Sequence, residues 1–286
     1  MPAAPRAPTR LRTASLTVLA LLAFAGNSLL CRAALAHTGI DPASFTAIRI
    51  LSGAMMLVLL LAIRPGPLPA AGSWRSAAAL FAYAILFSYA YTGLSAGTGA
   101  LLLFGAVQAT MLVAGLFTGT RWNALQSLGL GLALAGLVGL LWPGLTAPPL
   151  RPAALMLGAG VAWGLYTLRG RGLPDVLAAT TGNFMRAAPL AVLAAGIAWP
   201  WLKPDIEGAL LALASGALTS GLGYALWYAA LRGLSPQVAG SSQLSVPVIT
   251  ALAGVLLLGE AIDLRLALGA AAVLGGIALT LDRRKA

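Results

Sequence analysis

Residues 233–282 read GLSPQVAGSSQLSVPVITALAGVLLLGEAIDLRLALGAAAVLGGIALTLD, and residues 93–142 read GLSAGTGALLLFGAVQATMLVAGLFTGTRWNALQSLGLGLALAGLVGLLW. The two align without a gap. Gly93-Leu94-Ser95 falls on Gly233-Leu234-Ser235, Thr110 on Thr250, Gly119 on Gly259, Leu128-Gly129 on Leu268-Gly269 and Gly136 on Gly276. There are 12 identities in these 50 positions, against roughly 5 expected by chance in so Leu/Ala/Gly-rich a chain. Both copies share one grammar. A Gly ends one helix, a Ser caps the next, an apolar run follows, a Gly stops it, and a second apolar run returns.

Composition says where such runs can live. The chain has 286 residues, 59% hydrophobic and 9% charged. A soluble domain carries about 25% charged residues, so there is too little polar surface here to cover a globule in water. Each apolar run approaches the roughly 20 residues that cross a hydrocarbon core as helix. The class is a polytopic all-α membrane protein. A single cysteine, Cys31, excludes an internal disulfide and a Cys-based metal site, and a single histidine, His37, excludes His clusters. The net charge of +11 would suggest nucleic acid in a soluble protein; here a positive-inside bias explains it, and no nucleic-acid partner is expected.

Residues 1–12 are Pro-rich and basic and read as a disordered cytoplasmic tail. The first apolar run is 13–36. Its Ala34-Leu35-Ala36 resembles a signal-peptidase site, but the run is too long for a signal sequence and contains Arg32. The remaining spans are 42–64, 74–91, 95–118, 123–142, 153–169, 176–199, 208–231, 235–258 and 264–282, which makes ten. Pro- and Gly-rich turns separate them at 64–69, 142–149, 169–172 and 200–204. With the N-terminus inside, most Arg and Lys fall on the cytoplasmic side, including Arg64, Arg75, Arg121, Arg169, Arg171, Arg232, Arg283, Arg284 and Lys285. Asp41, Asp205, Glu207, Glu260 and Asp263 fall outside. Both termini are therefore expected in the cytoplasm, with the chain in the cell inner (plasma) membrane.

The repeat extends upstream. Thr46-Ala47-Ile48-Arg49 corresponds to Asn183-Phe184-Met185-Arg186, and Phe24-Ala25-Gly26 lies against Ala162-Trp163-Gly164. Two five-helix copies follow, 13–144 and 151–282, with a short tail at 283–286. Five is odd, so the copies sit upside down to each other. Inverted repeats are the hallmark of secondary transporters, whose halves exchange conformations around a midplane site.

Ten helices in two inverted copies resemble the drug/metabolite transporter superfamily in its EamA-type branch. The carriers of the resemblance are the Gly233-Leu234-Ser235-Pro236 start, the Leu258-Gly259-Glu260 stop, the Gly-rich last helix, and Arg49 and Arg186 in the second helix of each copy. The first copy departs from the pattern, with Thr120 in place of the Glu expected after Gly119. Within the branch the chain is similar to YddG-type exporters of aromatic and other amino acids. The resemblance covers about residues 13–282. It implies a basket of helices around a central cavity, with the fifth and tenth helices peripheral, and export from the cytoplasm.

Several residues could line such a cavity. Tyr83, Phe87 and Tyr91 share one face of the third helix at i, i+4, i+8, although an interfacial aromatic belt would also place tyrosines there. Trp163 and Tyr166 lie mid-helix, where the indole N–H needs a partner; packing beside the Gly160/Gly164 pair is the other reading. Asn27, Gln108, Asn183 and Gln243 are amides inside apolar runs, either site residues or interhelical glue. Gln237, Ser241 and Ser245 form a polar stripe before Pro247, which is expected to kink the ninth helix as a hinge. Tyr224 repeats the aromatic pattern with Tyr228 on the eighth. Arg49 and Arg186 are candidates for a substrate carboxylate or for capping carbonyls.

No catalytic residue set, metal-ligand cluster, phosphate loop or cofactor motif appears. The expectation is a secondary transporter, not an enzyme, that exports amino acids as its small-molecule substrates by alternating access. It is expected to work as a monomer in the lipid bilayer. All seven acids lie at helix ends or in loops, so downhill, uncoupled transport is expected. A multidrug or other metabolite exchanger of the same fold is the alternative; a membrane-embedded lipid enzyme would need a reactive cluster that the sequence lacks.

Overall fold

The computed structural model describes residues 10–64, 71–117, 124–144, 147–203, 205–234 and 236–280. The tail at 1–9, residues 281–286, Thr120, Arg121, Ser235 and the Gln237 side chain, all used in the sequence reading, lie outside this set. The described residues form ten helices and no strand. They are α1 (Arg10–His37), α2 (Pro42–Ala62), α3 (Trp74–Tyr91), α4 (Ala96–Phe117), α5 (Ala124–Leu141), α6 (Leu150–Gly170) and α7 (Val176–Ile197). α8 (Ile206–Leu231), α9 in two pieces (Pro236–Gln243 and Ser245–Leu258) and α10 (Leu264–Thr280) complete the set. Seven of them, α1, α2, α4, α5, α7, α8 and α9, are long and apolar enough to cross a membrane.

Local sequence explains the helix starts. Asp41 accepts from the backbone N–H groups of Ala43 (3.0 Å) and Ser44 (2.9 Å), with Pro42 preset for the first turn. Ser73, Asp175, Asp205 and Asp263 cap α3, α7, α8 and α10 in the same way. α8 passes through a π-helical stretch at Ser215–Leu222. Such a stretch changes which side chains face inward, and it is a common mark of functional positions. Its Gly216 lies against the Arg49 carbonyl and Ser52, so α8 approaches α2 with backbone nearly on backbone.

The helix ends sort into two layers. At one end, Arg32 of α1 reaches the carbonyl of Tyr91 at the close of α3, and Glu260 after α9 accepts from Ala96 at the start of α4. Arg265 of α10 bonds the Trp142 carbonyl past α5, Gly93 lies against Pro152 of α6, and Asp41 before α2 accepts from Lys203. At the opposite end, Arg64 after α2 meets Asp175 before α7, Gly233 after α8 lies against Thr13 of α1, and Gln126 of α5 reaches the Thr280 carbonyl of α10. Successive helices therefore alternate in direction. α1 and α6 run opposite ways, and the turns at Gly93 and Gly233 sit at opposite ends.

Packing partners follow the same numbering. α2 packs on α7, α4 on α9 and α5 on α10; α3 packs on α6 as α1 does on α8, and α4 on α6 as α1 does on α9. Shifting every helix number by five returns each of these pairs. α5 and α10 meet through small residues, with Gly129 against Gly276 and Gly136 against Ala272 and Val273. Beyond each other, both rest chiefly on α4.

The interruption in α9 falls at Leu244, three residues before the expected hinge at Pro247. The second piece starts at Ser245, so Pro247 lies in its first turn, where N–H groups have no intrahelical partner and a missing one breaks no bond. Leu244 N–H instead bonds back to the Ser241 carbonyl in a tighter turn, at 3.1 Å.

Candidate functional site

Polar and aromatic residues pointing inward from α1, α3, α4, α6, α7, α8 and α9 bound a cavity of about 570 Å³. Small residues make room for it. Gly160 and Gly164 press α6 onto Ala106 and Thr110 of α4, and that contact turns Trp163 inward. Trp163 lies 4.8 Å from the Tyr83 ring, 5.2 Å from Tyr166 and 5.2 Å from Tyr224, centroid to centroid. These distances suit offset and tilted aromatic pairs. The amides are held from behind. Asn27 Oδ1 accepts from Ser215 Oγ at 2.9 Å, and Asn183 Oδ1 accepts from the Ser73 N–H at 2.8 Å. No carboxylate is among the described lining residues.

The cavity is open at one end. Its wall runs to Arg169, Arg171 and Leu173 at the α6–α7 turn, all exposed, and to Leu231 at the close of α8. At the other end it stops at Tyr83. Beyond lie Phe87 and Tyr91, both 0% exposed, with Phe87 at 4.7 Å from the Tyr91 ring. Above them Glu260 joins three helix ends. Its Oε1 takes the Arg32 Nε–H at 2.9 Å, its Oε2 takes the Ala96 N–H at 2.8 Å, and Arg32 Nη1 donates to the Tyr91 carbonyl at 3.1 Å. Gly259, with φ of +65°, ends α9 and turns Glu260 back over the start of α4; a side chain at that φ would strain the turn.

A model of the EamA-like transporter family matches residues 11–142 and again 150–282. The chain belongs to the EamA-like transporter family. Members of that family are transporters, not enzymes, so a small-molecule substrate and a lipid bilayer are its partners. A protein of Pseudomonas aeruginosa, "Uncharacterized protein PA1977", is 60% identical over 274 residues, which is 96% of each chain. A solved crystal structure has the same fold, with a TM-score of 0.66 over 93% of this chain and 97% of its own, at 20% identity.

In this EamA-like chain the expected site residues divide into two groups. Asn27, Tyr83, Gln108, Trp163, Tyr166, Asn183, Tyr224 and Gln243 line the cavity together. Phe87 and Tyr91 do not; they share a helix face with Tyr83 but lie deeper towards the closed end. Ser241 is exposed away from the cavity, and Ser245 donates to the Ser242 carbonyl at 2.6 Å. Arg186 uses Nη1 on the carbonyls of Ala71 and Gly182, both at 2.8 Å. Arg49 is 2% exposed and sits behind Tyr83, not on the wall.

Sequence reasoning did not select Phe24, Ser28, Thr180 or Thr219, which also line the cavity. Phe24 packs on Trp227 at 5.7 Å, and its alignment with Ala162 beside Trp163 was the available signal. Thr180 had none, because a lone Thr in an apolar run ordinarily bonds its own helix.

Proposed function

We propose that this protein is a secondary transporter that exports amino acids, aromatic ones and other small zwitterionic metabolites among them, by alternating access. The observation that carries the proposal is the cavity itself. It is walled by four aromatic rings in contact, edged by amides, free of carboxylates among its described residues, and open at one end. The rings match an apolar or aromatic side chain, and the amides match the polar head of a neutral zwitterion.

Ten membrane crossings in two inverted copies fit the alternating helix directions, and the double family match supports the two-copy reading. Cationic groups at the open end, Arg169 and Arg171, suit a cytoplasmic face. On this reading both termini are cytoplasmic, the membrane is the inner one, and the protein works as a monomer. With no titratable acid among the described residues of the cavity wall, the substrate's own gradient drives transport on this reading, and movement runs in either direction.

Counterflow and uptake of a labelled amino-acid panel into proteoliposomes test the proposal. The expected result is saturable exchange of aromatic and other neutral amino acids that an imposed pH gradient does not concentrate. Accumulation driven by a pH gradient, and lost in His37→Ala or Glu260→Gln, would contradict uncoupled transport. Exchange of bulky organic cations with no amino-acid uptake would replace the amino-acid reading with a multidrug one.

A further inference from the structure

We propose that Tyr83, backed by Arg49, forms the subsite that takes the substrate's carboxylate; this rests on the amino-acid reading above. The starting point is a buried charge without a counter-ion. Arg49 pairs with no carboxylate among the described residues. Its Nη2 donates to the Tyr83 hydroxyl at 3.0 Å and its Nε to Ser220 Oγ at 3.4 Å, and the guanidinium lies 5.1 Å and 4.9 Å from the Tyr83 and Phe87 ring centres. Its Nη1 is buried and has no acceptor among the described residues. A buried cation in this state is costly unless something negative comes near.

Tyr83 is the route by which something can. Its hydroxyl accepts from Arg49 and also from Asn27 Nδ2 at 3.2 Å. Two accepted bonds fill the oxygen's lone pairs and leave the O–H proton to donate. No acceptor among the described residues takes it, and Tyr83 lines the cavity. A neighbouring cation strengthens such a donor. The Ser215 hydroxyl on Asn27 Oδ1 fixes the amide so that its NH₂ faces Tyr83. The end of the cavity therefore offers an unused O–H donor backed by positive charge, which complements a carboxylate. The second copy cannot offer the same, because Arg186 is already bonded to two carbonyls. Arg49 does not reach the cavity wall and acts through Tyr83, as a positioning residue.

The test compares three probes of similar shape, L-phenylalanine, 3-phenylpropionate and phenethylamine, by calorimetric titration of the purified full-length protein and of Tyr83→Phe. Tyr83→Phe keeps the ring and its packing, and a melting curve checks its fold. The expected result is that phenethylamine binds about 10-fold or more weaker than either carboxylate, as an interaction with a charged partner implies. The gap closes to within about 2-fold in Tyr83→Phe. Arg49→Lys, which keeps the charge but loses the planar fork, leaves a reduced gap that shrinks further with salt. Equal affinity for phenylalanine and phenethylamine overturns the subsite and leaves the amino-acid reading standing. A carboxylate preference that persists in Tyr83→Phe also overturns it. Binding of 3-phenylpropionate, but not phenylalanine, through Tyr83 keeps the subsite and removes the amino-acid reading. Binding of none of the three removes both.

Discussion

The two ends of this bundle are built from copies of the same sequence and are not alike. At the closed end one carboxylate, Glu260, ties α1, α4 and α9 together over a dry layer of Phe87, Tyr91 and Leu94. At the open end the cross-helix ion pair is Arg64 with Asp175, at 3.1 Å, and its two side chains are 39% and 36% exposed. The offset of 140 residues shows why. It sets Thr120 against Glu260 and Pro236 against Ala96. The first copy lacks the acid, and the second lacks the N–H that the acid would accept from. The same fold cannot fasten its other end by the same latch. On the proposed alternating-access reading, the conformer closed at Glu260 is favoured by an ion pair and a backbone N–H bond that its mirror conformer does without.

Glu260→Ala is the largest expected break in that asymmetry. It leaves Arg32 without its counter-ion and the Ala96 N–H without an acceptor, while Ser95 still takes the Thr98 N–H, at a cost of about 3 kcal/mol for a partly buried pair plus one helix-start bond. A fall in melting temperature of the purified protein, together with opening of this end, is the expected reading. Glu260→Gln keeps an acceptor for the Ala96 N–H and is expected to lie between the wild type and the alanine variant. Equal melting temperatures for all three proteins would show that the latch contributes nothing.

Trp163→Ala acts on the open half. It removes three ring contacts and is expected to weaken transport of bulky apolar amino acids about 10-fold relative to small ones, near 1.4 kcal/mol, without loss of expression. Unchanged transport across the whole amino-acid panel would take Trp163 out of the site.

The contrast between the ends was only half legible in the sequence. The apolar runs and the turn residues carried the helices, because burial in lipid forces long apolar segments whatever the tertiary detail. Asn27, Gln108, Asn183 and Gln243, the amides inside those runs, line one cavity. Depth was not legible. Tyr83, Phe87 and Tyr91 have identical spacing, and periodicity fixes a face, not a level along the axis; only the first reaches the cavity. The π-helical stretch at Ser215–Leu222, which brings Ser215 to Asn27 and Ser220 to Arg49, has no signature in its composition. The different uses of Arg49 and Arg186 depend on whether a carbonyl happens to lie within reach, which no spacing records.

The smallest expected effect is at the open end. Burial raises the Asp175 carboxyl, but the Ala178 N–H and the Arg64 guanidinium outweigh it and hold the group below the usual carboxylate range. A lowered folded pKa stabilises above the unfolded value of about 3.9 and is lost as pH falls through the folded value. For a pair this exposed, screening limits the gain to about 0.5 kcal/mol. Asp175→Asn, which keeps the cap and removes the charge, is expected to lower the melting temperature by at most about 2 °C near neutral pH, and to match the wild type once the pH has fallen below the folded value. A loss as large as that of Glu260→Ala would erase the distinction between the ends.

The chain carries its own probe of the closed end. Cys31 is its single cysteine, 0% exposed, one residue before Arg32 in α1. The direct measurement is the rate at which a membrane-impermeant maleimide labels Cys31 in the wild type and in Glu260→Ala, each folded in the membrane. If Glu260 holds that end shut, the wild type labels slowly and the variant at least about 10-fold faster, as a latch worth more than 1.4 kcal/mol requires. Equal rates in the two proteins would contradict the claim that this ion pair sets which end of the cavity is closed.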